Sequence, residues 1–203
     1  MRFLPLLSST QNPVPWKLFP AAELIWDGGL HPGWTTCGIA IHALHLPPQP
    51  WGESLVLTAI EALRPRLGGD FLVLPAQAPT TRMETSTFLG TLEALLEALA
   101  GRGIKIALRP QAGAAAPLVA LLKDVKCDAV GYCWEEALGE DLELISDRLF
   151  CAVGTAQGSY PSLQRLGYRW NMAIPAADPA DTARTLARLE AAHPMIYFPQ
   201  VTP

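Results

Sequence analysis

The chain has 203 residues, half of them hydrophobic and only 17% charged, and its net charge is −4. This composition excludes a disordered, charge-rich protein, and it allows one domain to bury a core without disulfide or metal support. The 15 Lys and Arg residues form no basic run, so we expect no nucleic-acid partner.

The sequence leads us to expect no secretory signal, no membrane span and no metal-binding cysteine pattern. The first apolar run ends before Ser8, and this run is shorter than the ~7 to 15 apolar residues of a secretory signal. No segment approaches the roughly 18 apolar residues of a membrane span. The four cysteines form no CxxC pair, so we expect small buried thiols and no metal. These features predict a cytoplasmic protein that does not associate with a membrane.

Short apolar runs alternate with amphipathic segments along the chain. Two apolar runs, 3–8 and 22–28, are expected to be entry strands, and residues 9–36 contain several prolines but no helical period. From residue 37 onward the predicted strands cover 37–46, 68–77, 104–110, 128–135, 149–157, 169–175 and 195–199. The predicted helices cover 53–67, 84–103, 116–125, 139–147, 162–167 and 178–192, the last with Asp178 as its N-cap.

Alternating strands and helices indicate parallel pairing, with helices covering the sheet. An open doubly wound sheet would usually carry a glycine-rich phosphate turn, and neither GxGxxG nor GxxxxGK[ST] occurs here. This favours a closed barrel in a chain shorter than the ~250 residues typical of that fold. We therefore predict one α/β domain over 1–203, a compact (β/α)8 TIM barrel, complete or incomplete, whose early helices are shortened or missing.

Six stretches of this chain have the apolar spacing of a known group of barrels. They read "IHALHLPP", "LRPRLGGDFLVLPAQ", "LEALAGRGIKIALRP", "LLKDVKCDAVGYCWEEAL", "DRLFCAVGTAQ" and "MIYFPQ". Over roughly residues 37–199 the sequence resembles the xylose-isomerase-like TIM barrels, in particular the sugar phosphate isomerase and epimerase branch. The resemblance implies a TIM-barrel fold and an activity on sugar-like metabolites.

The resemblance also implies a divalent cation bound by Glu, Asp, His and Glu at the carboxyl ends of strands. In this chain the first Glu position is Arg109, and the Asp position is Glu135. The remaining positions implied by the resemblance are Leu138, Gly154, Gln157 and Pro199 or Gln200. A permanently charged guanidinium repels a cation, so we expect no metal and no other cofactor.

Arg109 has two interpretations. It can replace the charge of the ion by holding a carboxylate or phosphate of a ligand with two parallel hydrogen bonds. Alternatively, it forms a buried ion pair with Glu135 and binds no ligand. In both cases the side chain is expected inside the mouth of the barrel.

Other candidates lie at predicted strand ends, where barrels of this kind place their sites. His45 matches the strand-end histidine of the resembling family and is a candidate acid or base together with Glu135. Gln77, Gln157 and Asn171 are candidates for binding sugar hydroxyls, although amides also cap loops. Trp134 is a candidate for stacking on a ligand or for ordinary core packing.

Two functions follow from these residues. The first is a divergent isomerase-like or epimerase-like barrel that binds a small polar or anionic metabolite without metal. The second is a non-catalytic binding or assembly module whose mouth is closed by side chains. In either case, missing early helices would expose the barrel wall around residues 9–36, which predicts a homodimer.

Overall fold

The computed structural model describes residues 1–48, 53–63, 67–138 and 148–194, without the side chains of residues 63 and 67–70. The described residues form eight strands, five α-helices and three short 3-10 helices. The strands are β1 (Arg2–Ser8), β2 (Ala21–Ile25), β3 (Ala40–His45), β4 (Leu67–Ala76), β5 (Lys105–Pro110), β6 (Val130–Glu135), β7 (Leu149–Val153) and β8 (Asn171–Pro175). The helices are α1 (Glu53–Leu63), α2 (Arg82–Ala98), α3 (Ala115–Asp124), α4 (Pro161–Arg165) and α5 (Pro179–Ala192).

All eight strands pair in parallel and in chain order, and the pairing of β1 with β8 closes the barrel. The predicted TIM-barrel fold is therefore confirmed, and the barrel is complete in its strands. The predicted ninth strand (195–199) and the predicted helix over 139–147 lie outside the described residues. Because β8 already closes the barrel, the sheet needs no further strand.

The shortened early helices are confirmed as well. Between β1 and β2 the described chain has only the 3-10 segment Val14–Trp16, and between β2 and β3 only Pro32–Thr35. Each segment has a proline in its first turn, a position that helices tolerate because the N–H there has no intrahelical partner.

The barrel wall behind these segments is nevertheless covered. Trp16, Phe19 and Trp34 are buried and belong to the same apolar layer as Leu7 and Leu24 of the first two strands. These three large aromatic side chains thus cover the part of the barrel wall that two helices would otherwise cover. The expectation of an exposed wall, on which the predicted homodimer depended, is wrong.

Apolar side chains occupy two separate layers, because successive residues of a strand point to opposite faces of the sheet. One layer lies between the sheet and the helices and includes Leu72, Leu108, Trp134 and Met172. The other fills the barrel interior and consists of Leu6, Ala43, Phe71, Val73, Ala107, Cys133, Cys151, Val153 and Ala173. This alternation decides which strand-end residues face the mouth.

Candidate functional site

Arg109 and Glu135 face the interior at the carboxyl ends of β5 and β6. Each lies two residues beyond an interior side chain, Ala107 in β5 and Cys133 in β6. Arg109 Nε lies 3.7 Å from Glu135 Oε2, and the two side chains are 25% and 28% exposed. The predicted pairing is present, but the pair is open to solvent and longer than a hydrogen bond.

The open pair leaves hydrogen-bonding capacity on both side chains. A guanidinium has five donors, and within the described ranges Arg109 makes no hydrogen bond to another residue. The two terminal nitrogens of Arg109 therefore remain available as a fork for a carboxylate or phosphate, while Glu135 remains a carboxylate acceptor beside it.

His45 forms a second polar pair deeper in the barrel. It is the last residue of β3, and its Nε2 lies 2.8 Å from Oε2 of Glu23 in β2. Both residues are almost completely buried, with His45 at 0% exposure. His45 therefore reaches the barrel interior, but the mouth surface does not include it.

Two of the predicted amides lie on the rim of the mouth. Gln77 follows β4 directly, and its Nε2 donates to Oε1 of Gln111 in the loop after β5 at 3.0 Å. Gln157 is exposed in the loop after β7. Both are on the carboxyl side of the barrel, with Gln77 next to the strand that carries Arg109.

The placement of Asn171 at the mouth is wrong. Asn171 is the first residue of β8 and pairs with Arg2, the second residue of the chain, so it lies at the amino end of the barrel. The predicted strand covers 169–175, so Asn171 lies near the start of that strand in the prediction as well. A side chain at the opposite end of the barrel cannot share a ligand with Arg109.

The placement of Trp134 at the mouth is also wrong. Its neighbours Cys133 and Glu135 face the interior, so Trp134 points outward into the layer beneath the helices. There it is buried, and its ring meets the edge of Tyr160 with the centroids 6.3 Å apart. Its role is core packing.

Two polar groups at the carboxyl end were missed in the sequence. Ser8, the last residue of β1, donates a hydrogen bond to Asp27 Oδ2 and lies 2.9 Å from the Thr10 hydroxyl. Across the barrel, the Tyr160 hydroxyl donates to Glu136 Oε2 at 2.7 Å, and Thr155 N–H donates to the same oxygen at 2.8 Å. Ser8 ends a predicted strand and Glu136 directly follows one, so their positions at strand ends could have identified them from the sequence.

Tyr160 also explains the two glycines after β7. A Cβ at Gly154 or at Gly158 would overlap the Tyr160 hydroxyl. Burial and the hydrogen bond to Glu136 raise the pKa of Tyr160. Since Val153 faces the interior, Gly154 faces the ring of Tyr160 and not the mouth.

The chemistry of these residues does not fit a divalent cation. At the mouth, the carboxylate of Glu135 shares its space with a guanidinium, and hard cations need several converging oxygen or imidazole ligands. The described part of the chain brings together no group of three or more His, Cys, Asp or Glu side chains able to hold a metal. Pro199 and Gln200 lie outside that part, and β8 ends instead at Pro175.

Comparisons with known proteins support the fold. No family model and no curated protein matches the sequence. Among solved structures, a D-tagatose 3-epimerase-like protein superposes with a TM-score of 0.67 at 15% identity, covering 95% of this chain and 97% of that one. The IolI protein, solved with a binding zinc atom, gives 0.66 at 14% identity, covering 96% and 100%. A xylose isomerase domain protein from Planctomyces limnophilus gives 0.65 at 14% identity, covering 94% of each chain.

The chain is thus an α/β-barrel protein with a polar, partly open carboxyl end. More narrowly, it has the fold of the xylose isomerase-like TIM barrels and epimerases, and the resemblance found in the sequence is confirmed at the level of fold. In the described part of the chain, no helix has the length and apolar character needed to cross a membrane.

Proposed function

We propose that this barrel binds a small polar or anionic metabolite at its carboxyl end without a divalent metal, and acts as an isomerase-like or epimerase-like protein. The open pair of Arg109 and Glu135 carries the proposal. It places a fixed cation and a carboxylate base close enough together to contact the same small ligand. The fold shared with an epimerase-like protein supports the reaction class.

The chemistry that the pair can perform is proton transfer next to a carbonyl group. The Glu135 carboxylate takes the proton from the carbon beside the carbonyl, and the C–H electrons move toward the carbonyl oxygen to give an enediolate. The guanidinium of Arg109 donates hydrogen bonds to the developing negative charge. Return of the proton from Glu135 to the former carbonyl carbon, with transfer of the hydroxyl proton from the neighbouring oxygen to the former carbonyl oxygen, completes an isomerisation with no net change in protons. An epimerisation instead requires that a second acid protonates the original carbon from its opposite face.

The other predicted site residues lie where they can assist ligand binding around the Arg109–Glu135 pair. Gln77 and Gln157 on the rim have amides that can donate to and accept from ligand hydroxyls. His45 contributes to proton transfer only where a ligand group enters the barrel interior, because the side chain is fully buried.

A second candidate function is a non-catalytic binding or assembly module. The burial of His45 favours it, because the second predicted acid–base group is closed off from the mouth surface. The two candidate functions differ in whether the ligand is converted. Both bind the anionic group of the ligand at Arg109.

Inorganic phosphate is the probe that tests the shared position. Isothermal titration should show binding to the wild type and at least a tenfold loss in Arg109→Ala, roughly the loss of a charge-assisted pair of hydrogen bonds. Arg82→Ala, an exposed arginine in the first turn of α2, is the matched control and should bind like the wild type. Equal phosphate affinity in Arg109→Ala and the wild type would remove the proposal.

Turnover separates the two candidates. Ketoses and ketose phosphates incubated with the protein in D2O should gain deuterium at the carbon beside the carbonyl, as seen by NMR. Glu135→Gln should abolish this exchange because an amide cannot take the proton. Phosphate binding without exchange in any substrate would favour the non-catalytic module.

A further inference from the structure

The Glu23–His45 pair contains an unused hydrogen-bonding atom. His45 Nε2 is held by Glu23 Oε2 at 2.8 Å, and the side chains are 1% and 2% exposed. The other ring nitrogen, Nδ1, is buried and has no hydrogen-bond partner among the described residues. Buried polar atoms in proteins almost always have a partner, and of the six buried side-chain atoms without one in the described residues, His45 Nδ1 is the one inside the barrel.

The surroundings of the pair are unusual for the interior of such a barrel. Bulky branched residues normally fill this space, whereas here many of the inward positions are small. The small interior residues are Ala43, Ala107, Cys133, Cys151 and Ala173. They leave the volume in which a carboxylate and an imidazole can lie side by side.

The strand register shows where the Glu23–His45 pair lies relative to Arg109 at the mouth of the barrel. His45 pairs with Val73, and Val73 pairs with Ala107. Arg109 lies two residues beyond Ala107 on the same face of β5, so it is the next inward residue toward the carboxyl end. A ligand held at Arg109 thus lies above the row of interior residues that contains His45.

We propose that Glu23 is a positioning residue, which anchors His45 through Nε2 and leaves Nδ1 as the contact atom for a hydroxyl group of the ligand. A hydroxyl can donate and accept, so it satisfies Nδ1 whether or not that nitrogen carries a hydrogen. This inference rests on the proposed function and adds to it a ligand with a hydroxyl group near its anionic end.

The test compares two probes, inorganic phosphate and D-fructose 6-phosphate, on wild type, Glu23→Gln and His45→Gln. Phosphate reaches Arg109 alone, so its affinity should be equal in all three. The sugar phosphate should bind about tenfold more weakly to both variants, which is the loss expected for one buried hydrogen bond. Glu93→Gln, an exposed glutamate on α2, is the matched control for the loss of a carboxylate.

A spectroscopic reading separates positioning from a merely structural role. In protein labelled with 15N-histidine, His45→Gln identifies the His45 signals. The Nδ1 signal of the wild type should shift when D-fructose 6-phosphate is added and should not shift with phosphate. In Glu23→Gln the ring loses its anchor, and the shift induced by the sugar phosphate should shrink.

The outcomes distinguish the two proposals. Failure of both probes to bind the wild type overturns the proposed function, and this inference with it. Sugar phosphate binding that is insensitive to Glu23→Gln and leaves the Nδ1 signal unmoved overturns this inference alone. If His45→Gln does not fold, single substitutions of His31, His42 and His193 identify the other three histidine signals and leave the His45 signal by exclusion, so the wild-type spectrum still decides the inference.

Discussion

Tyr160 is the residue whose hydroxyl organises the loop after β7. Its hydrogen bond to Glu136 and the one it accepts from Thr155 N–H, both 2.7 Å long, are lost in Tyr160→Phe. We expect this variant to be about 1 to 2 kcal/mol less stable at neutral pH, because partly buried groups lose a partner. Urea unfolding followed by circular dichroism measures the difference, and equal midpoints and slopes would contradict it.

The same variant tests the pH dependence. The pKa of Tyr160 is raised in the folded state above its ordinary value of 10.0, so the unfolded chain loses the proton first as the pH rises. The stability that Tyr160 contributes is therefore present below about pH 10 and declines as the pH rises above that value. The difference between wild type and Tyr160→Phe should be constant up to about pH 9 and should shrink as the pH rises from about pH 10 to about pH 11, and a constant difference over the whole range would show that the raised pKa is wrong.

Gly154 is required by the position of Tyr160. An added Cβ would overlap the Tyr160 hydroxyl and also lie 2.8 Å from the Met172 sulfur, so Gly154→Ala should destabilise the fold by roughly 1 to 3 kcal/mol. Gly90→Ala is the control, since nothing lies within 4 Å of its Cβ position in α2. That change should be neutral or stabilising by up to about 1 kcal/mol. Two equal urea midpoints would contradict the contact with Tyr160.

At the scale of elements, α2 begins with a complete capping box. The Thr81 hydroxyl accepts from Glu84 N–H at 3.1 Å, while Glu84 accepts from Thr81 N–H at 3.2 Å. Thr81→Ala should lower the unfolding free energy by about 1 kcal/mol, because one helix N–H loses its partner. Thr87→Ala, in the interior of the same helix, should have little effect or a stabilising one. A larger loss at Thr87 than at Thr81 in thermal unfolding would contradict this assignment.

The alternation of elements was predictable because it depends on local periodicity. The predicted strand over 104–110 is Lys105–Pro110 in the structure, and the N-cap at Asp178 is confirmed by two hydrogen bonds of 3.0 Å. The side of the sheet to which a side chain points is harder to predict, since a shift of one residue in the strand moves the side chain to the other side. Trp134 was misplaced because it neighbours Glu135, and adjacent residues of a strand face opposite sides of the sheet. Asn171 was misplaced because it lies near the start of its strand and not at the carboxyl end.

The partners of inward residues could not be predicted at all. Glu23 and His45 meet across two strands whose register shifts between Ala22 and Glu23. No local pattern encodes such a shift. Arg109 and Glu135 were found together because both end a strand, and parallel strand ends meet at one face of a barrel.

At the scale of the whole molecule, the predicted homodimer needs a new basis. Trp16, Phe19 and Trp34 cover the wall, which leaves Val14 and Leu18, each 56% exposed, as apolar residues on that side. We propose that a second copy covers them, and Leu18→Glu should then reduce the mass measured by light scattering to that of a monomer. A wild type that is already monomeric at micromolar concentration removes the proposal.

Metal removal is the broadest test of the proposed site, because it addresses the charge of the whole mouth. A guanidinium Nε 3.7 Å from Glu135 provides the positive charge there, and no cluster of three metal-ligating side chains exists in the described ranges. A tightly bound ion at about 100 times its Kd would stabilise the fold by about 2.7 kcal/mol, so its removal would lower Tm by roughly 5 to 10 °C. We expect the same Tm with and without EDTA, and less than one equivalent of zinc, magnesium or manganese in elemental analysis of the purified protein. A clear drop in Tm that zinc or magnesium restores would show that a cation belongs to the site, and that Arg109 has another role.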